Sequence, residues 1–213
     1  MVEFFGFVFL ICALMLLGGK VIQNSIGFLA LQSLSLSVLA FYLGFSGGTV
    51  DWHMLVVGGL TLVVKVIVLP LVLYKLVDRV KADRQIPVTV GLVTSMLAGV
   101  VIIALTYAYV VPVLLKDIQG AGVLLPVALS SILLGCFYMI TRCSVISQLI
   151  GIIVIENGLF LSGLAIMGGM PLFIELGIFF DVLVGALVMG VITYKINDNF
   201  ETLDTNQLTK LKG

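Results

Sequence analysis

Four strongly polar residues, Gln32, Lys65, Glu156 and Asp181, each lie near the middle of a long apolar run. The run Leu149 to Gly168, LIGIIVIENGLFLSGLAIMG, shows the pattern most sharply, because one carboxylate, Glu156, interrupts it at the centre with Asn157 beside it. Twenty residues rising 1.5 Å each span roughly 30 Å, the thickness of bilayer hydrocarbon. Glu156 is therefore expected at the membrane midplane, where an unpaired charge costs on the order of 3 kcal/mol on insertion scales. Gln32, Lys65 and Asp181 fall within about two residues, or roughly 3 Å, of the centres of their own spans, so all four share one depth. Three unpaired charges there would cost on the order of 8 to 10 kcal/mol, comparable to the stability of a small domain. They must be neutral, face one another, meet charges on a partner, or line water.

Two chemistries fit such a set. In the first, Lys65 and an acid form a buried pair that locks the bundle, and the second acid is protonated and hydrogen-bonded to Asn157 or Gln32. In the second, Lys65, Glu156, Asp181 and Gln32 are parts of a proton or ion relay, in which burial brings the neutral and charged forms of each titratable group closer in energy. The relay is the expectation, because a lock seldom needs two acids on adjacent helices. Asp181 is flanked by Gly177 and Gly185, which leave space for a close helix or for water. The lone histidine, His53, lies in an outer loop beside Asp51 and Trp52, where a solvated ring is the expectation and Trp52 reads as an interfacial anchor.

The elements that must hold these residues are legible from composition. The chain has 213 residues, 61% of them hydrophobic and 10% charged, and a mean hydropathy of +1.28. Soluble domains carry about a quarter of their residues as charges. The fold expected is all-α, a polytopic membrane protein of about seven spans with no room for a nucleotide fold, haem-attachment motif or catalytic domain, and so no cofactor within the chain. The spans are expected at about Val2 to Gly18, Asn24 to Gly44, Leu55 to Leu76, Pro87 to Leu115, Gly122 to Ile140, Ser147 to Met167 and Leu172 to Tyr194. The first is read as a retained helix rather than a signal peptide, since Glu3 replaces a positive leader and no small-residue cleavage site follows. The three cysteines, Cys12, Cys136 and Cys143, have no metal-ligand spacing and read as buried small hydrophobes.

Nine of the eleven Lys and Arg residues, including Lys20, Lys75, Arg79 and Arg142, fall in alternate connections or in the tail. The positive-inside rule then places the chain in the plasma (inner) membrane with its N-terminus outside and its C-terminus in the cytoplasm. The charged stretch KLVDRVKADR, from Lys75, reads as a solvated cytoplasmic turn, or more sharply as a docking point for a peripheral protein.

An internal repeat adds organisation. The segments beginning at Val21 and Val145 align without a gap over 24 positions with five identities, and set Gln32 opposite Glu156 and Ser33 opposite Asn157. The next spans also correspond, Lys65 with Asp181 and the Tyr74-Lys75 end with Tyr194-Lys195. These matches divide the chain into a three-helix unit at 1–80, a connector helix at 81–119, a second three-helix unit at 120–196 and a cytoplasmic tail at 197–213.

The segment LIGIIVIENG and the following span centred on Asp181 resemble subunit K of NADH-quinone oxidoreductase and the related small membrane subunit of multisubunit cation/proton antiporters. The full length, with LTLVVKVIVLPL around Lys65 and the ending TLDTNQLTKLKG, resembles the hydrogenase-4 component E family. That resemblance implies a non-catalytic membrane subunit of an oxidoreductase complex, related to complex I. Its implied partners are the lipid bilayer, antiporter-like and other membrane subunits, and a peripheral redox arm of [NiFe]-hydrogenase and Fe-S subunits, with no nucleic acid. It carries Glu156 and Asp181 onto the helices that bear the two intramembrane carboxylates of subunit K, although Glu156 sits about one turn further along than the first of them. A subunit of a Na+/H+ antiporter without a redox arm and a purely structural membrane adaptor are the alternatives.

Overall fold

The computed structural model describes residues 1–46, 50–79, 90–114 and 122–167, together with the isolated positions 185 and 190. Asp181, the seventh expected span apart from positions 185 and 190, and the tail from 197 lie outside the described residues. So does half of the charged stretch, from Val80 to Arg84.

Helix α1 covers Val2–Leu17 and α2 covers Ile22–Ser46. One long rod follows, made of α3 (Trp52–Thr61), a π-helical segment (Leu62–Val68) and α4 (Leu69–Arg79). A second interrupted rod comprises α5 (Leu92–Leu105), a π-helical segment (Thr106–Val110) and α6 (Val111–Leu114). Helices α7 (Leu124–Thr141) and α8 (Val145–Met167) complete the described fold. Every described element is helical, as the composition requires, and each of the first six expected spans coincides with one helix or rod to within a few residues. Among the described residues, five helices are long and apolar enough to cross a membrane, and Val2–Leu17 is a shorter apolar helix.

The two π-helical segments have a common cause. Each ends two residues before a proline, Pro70 or Pro112, whose ring clashes with the carbonyl of the fourth residue back and which has no N–H to donate. Widening the preceding turn relieves that clash, and the wider turn is visible where the Leu69 N–H reaches back to the Val64 carbonyl and the Val111 N–H to that of Thr106. Lys65 stands at the middle of the first widened segment and is buried. At the other end of the same rod Asp51 caps α3, its carboxylate accepting from the N–H groups of His53 and Met54 at 3.0 and 3.4 Å.

Helices α7 and α8 form a tight antiparallel hairpin. A Cβ added at Gly135 would stand 3.1 Å from the Gly151 carbonyl oxygen, and one at Gly158 would stand 3.0 Å from that of Ala128. Helix α2 packs against α1, α3, the first π segment, α4 and α8, and reaches α7 through Gln32 and Ser131. The core is split in two. One apolar cluster gathers Leu17, Ile26, Leu29, Leu73, Leu134 and Ile153, and the other gathers Phe9, Leu36, Val57, Ala128, Phe160 and Leu161. Gln32 lies between Leu29 and Leu36, Ser131 between Ala128 and Leu134, and Glu156 between Ile153 and Phe160. The polar layer is thus clasped between two apolar ones.

Of the three cysteines, Cys12 is buried as expected, whereas Cys143 is half-buried and Cys136 is exposed.

Candidate functional site

The polar layer is a single connected group. The Lys65 ammonium lies 2.7 Å from Glu156 Oε1 and donates to Asn157 Oδ1 at 3.1 Å. Asn157 Nδ2 donates to Gln32 Oε1 at 3.3 Å and to Ser33 Oγ at 3.1 Å, and Gln32 Nε2 donates to Ser131 Oγ at 3.0 Å. Ser35 closes the edge by donating to the Gln32 backbone carbonyl at 2.7 Å. Lys65 is 1% exposed and Glu156 5%, while Gln32, Ser33, Ser131 and Asn157 are sealed from the surface.

The direction of this chain follows from donor and acceptor chemistry. An ammonium only donates, so the Asn157 oxygen must face Lys65. The Asn157 amide N–H groups are then turned toward α2, where they require acceptors, and the Gln32 oxygen and Ser33 hydroxyl supply them. Gln32 is left with its own N–H groups toward Ser131. One fixed cation therefore orients two amides across three helices.

Of the four residues singled out from the sequence, Lys65, Glu156 and Gln32 come together, and Asp181 lies outside the described residues. Lys65 and Glu156 make the direct charged contact. Gln32 stands behind Asn157 and acts through the amide of its neighbour. Glu156 is not fully used by this network. Neither carboxylate oxygen, Oε1 beside the ammonium or Oε2, accepts a well-directed hydrogen bond among the described residues. The Phe160 ring, one turn further along α8, lies with its centroid 5.6 Å from the Lys65 nitrogen. One turn of α8 thus gives the ammonium a carboxylate, an amide oxygen and an aromatic face.

Asn157, already singled out beside Glu156, belongs to this site, as do Ser33, Ser131 and Phe160, which were not separable from ordinary helix residues by spacing alone. The gap-free repeat, which pairs Ser33 with Asn157, was the available signal for Ser33.

A second polar group lies at the end of the hairpin. Arg142, counted above among the positive charges of the connections, is 1% exposed. Its Nη2 donates to the Leu17 carbonyl at the C-terminus of α1, where a positive charge is favoured by the helix dipole. The guanidinium carbon lies 5.2 Å from the Tyr138 ring. Gln148 pins the same turn by donating to the carbonyls of Met139 and Arg142 at 2.8 and 2.7 Å. This arrangement puts the α1–α2 and α7–α8 turns on one side of the bundle. Tyr74 at the end of the α3–α4 rod reaches the Gln23 carbonyl on that same side.

Comparison with known proteins agrees with the architecture. The chain is 28% identical over 204 residues to hydrogenase-4 component E of Escherichia coli K12, covering 96% of this chain and 94% of that protein, with the same figures for the protein of Shigella flexneri. It is a relative of hydrogenase-4 component E. It is also 28% identical over 185 residues to an uncharacterized protein of Mycobacterium tuberculosis, covering 86% of this chain and 83% of the relative. No protein-family model matches the chain, and no solved structure matches it significantly.

Proposed function

We propose that this chain is a membrane subunit of a hydrogenase-4-type, complex I-like assembly, and that its polar layer is part of the path by which redox energy moves protons or other ions. The observation that carries this reading is the buried Lys65–Glu156 pair at mid-helix, with Glu156 Oε2 left without a hydrogen-bond donor among the described residues. A lock would gain most by satisfying both carboxylate oxygens, because an unpaired buried acceptor costs about 1 to 3 kcal/mol. A free oxygen on a buried carboxylate is instead the position at which a proton can arrive and leave without first breaking the ion pair.

On this reading Lys65 sets the local charge and Glu156 is the titrating group. Asn157 and Gln32 hold the ammonium in place, since amides orient charges but exchange no protons in the working pH range. Asp181 is the next step, supplied by the seventh span of the second three-helix unit. The partners are antiporter-like membrane subunits and a peripheral [NiFe]-hydrogenase arm, and the chain itself holds no cofactor. The tail from 197 faces the cytoplasm.

The rival reading is a structural adaptor. It is favoured by the completeness of the amide network, which alone would bind α2, α7 and α8 together. Purification of the tagged protein in mild detergent, with identification of the chains that accompany it, tests the assembly. Nickel-hydrogenase and antiporter-like chains are expected. Antiporter chains alone would point to a Na+/H+ antiporter subunit, and a lone stable protein would refute both assemblies.

A further inference from the structure

Away from the polar layer, α1, α7 and the second interrupted rod enclose a wedge. Its closed end is at Gly99 of α5, where an added Cβ would stand 2.5 Å from Leu17 and 2.8 Å from Leu14 on α1, and 3.3 Å from Leu134 on α7. Eight residues further along the rod, roughly 12 Å of helical rise, Tyr107 lines a cavity of about 550 Å³ between the same three elements. Tyr107 belongs to the π-helical segment that Pro112 imposes. Glu3, Phe7 and Leu10 of α1, with Val123 and Val127, form much of the remaining lining, and Phe7 and Val123 are exposed at its surface. The volume is that of a small-ligand site.

The lining is graded along α1. It passes from Glu3, in the first turn of the helix, through Phe7 to Leu10, seven residues or roughly 10 Å. A carboxylate therefore stands at the helix end and apolar side chains lie deeper in the span. Among the described residues no cation pairs with Glu3. The rim is thus negative, with the Tyr107 hydroxyl as an added hydrogen-bond donor. An acyl chain fits the apolar floor, an ammonium fits the carboxylate, and a phosphate oxygen can accept from the hydroxyl. A headgroup of net negative charge is disfavoured by the same carboxylate.

We propose that this wedge is a lipid site, seating one acyl chain of a phospholipid whose headgroup carries an ammonium, as in phosphatidylethanolamine, with that ammonium beside Glu3. The site is separate from the polar layer and does not depend on the relay reading. Its selectivity comes from one exposed carboxylate, and an exposed ion pair is worth up to about five-fold in affinity. Its capacity comes from the gap between α1 and the rod, which one bulky side chain at the exposed rim would fill.

The test is retention of defined lipids by the full-length chain. The purified protein is placed in nanodiscs of equal phosphatidylethanolamine and phosphatidylglycerol, released, and weighed by native mass spectrometry with its bound lipid. One retained lipid is expected, with phosphatidylethanolamine preferred by up to about five-fold. Glu3→Gln, a conservative change at an exposed position, should keep the retained lipid but bring the preference close to unity. Val123→Trp should lose the retained lipid while its circular dichroism stays helical; if that variant fails to insert, the Glu3→Gln preference decides alone. Equal retention of the two lipids by the unsubstituted chain, or an unchanged preference in Glu3→Gln, would overturn the proposal. In native membranes a benzoylphenylalanine at position 7 should crosslink to phospholipid. A crosslink to a protein chain instead would overturn the lipid site and make the wedge a subunit contact.

Discussion

The Lys65–Glu156 contact makes a prediction whose sign depends on pH. Lys65→Met removes the cation and leaves a carboxylate that is 5% exposed, between two apolar clusters. The least costly response is for Glu156 to take up a proton. From an ordinary glutamate value of about 4.3, holding that proton at pH 7 costs about 3.7 kcal/mol, at 1.36 kcal/mol for each pH unit. The folded variant then binds one more proton than the unfolded chain, so its stability rises as pH falls, by about 1.4 kcal/mol per unit. Glu156→Gln runs the other way. Here Lys65 must shed its proton, at a cost of about 4.6 kcal/mol at pH 7 from an ordinary lysine value of about 10.4, and stability rises as pH rises. Both figures are upper bounds, because the Asn157 oxygen and the Phe160 ring still support an ammonium, and water or lipid headgroups can relieve either charge. The double variant Lys65→Met/Glu156→Gln carries neither charge and should be more stable than the sum of its parts implies, by about 3 kcal/mol. Denaturation of the purified protein in mixed detergent at pH 6, 7 and 8 reads all three. Additive single effects, or single variants with equal pH slopes, would refute the claim that the two side chains face each other as charges.

Other outcomes follow from the same geometry. Asn157→Leu removes the acceptor that steadies Lys65 and strands the Gln32 oxygen, so the variant should insert normally yet lose about 2 kcal/mol of stability, measured by the same denaturation. Gly158→Val forces a branched side chain against the Ala128 carbonyl and should open the α7–α8 hairpin at a cost of about 1 to 3 kcal/mol, read as faster proteolysis or a lower melting temperature. Arg142→Met should loosen the α1 end by a similar amount, and Arg142→Lys should restore little, because an ammonium cannot keep both the Leu17 carbonyl and the stacked contact with Tyr138. A cysteine at Thr205, in a chain without its native cysteines, should resist an impermeant reagent added outside intact cells; labelling from outside would reverse the proposed orientation.

Much of this fold was readable in advance because bilayer-length apolar runs leave the backbone little choice but helix. The boundaries of α1, α2 and α8 sit within a few residues of those expected from hydropathy alone. The depth of Gln32, Lys65 and Glu156 was equally legible, because position along a span is a matter of counting. What counting does not give is azimuth. Nothing in the spacing says that Lys65 turns toward Glu156 and Asn157, and the turn depends on the widened helix ahead of Pro70. That proline was the one local sign that the third span would not be a regular helix. Arg142 marks the other limit. A positive charge at a turn is counted as solvated by any loop rule, yet the α1 C-terminus and the Tyr138 ring give it a buried place that only the tertiary packing creates.

The most direct test of the relay is redox-driven ion movement by the assembled complex carrying Glu156→Gln. The amide keeps the size of the side chain but removes the titratable oxygen that lies 2.7 Å from the Lys65 ammonium and its free partner Oε2. The vesicles are energised by the complex's own electron donor and followed with a pH-sensitive dye, alongside native gels that score assembly. The account predicts a complex of normal size that turns over electrons while losing most of its acidification or alkalinisation. A fully assembled Glu156→Gln complex that pumps at the unsubstituted rate would contradict it.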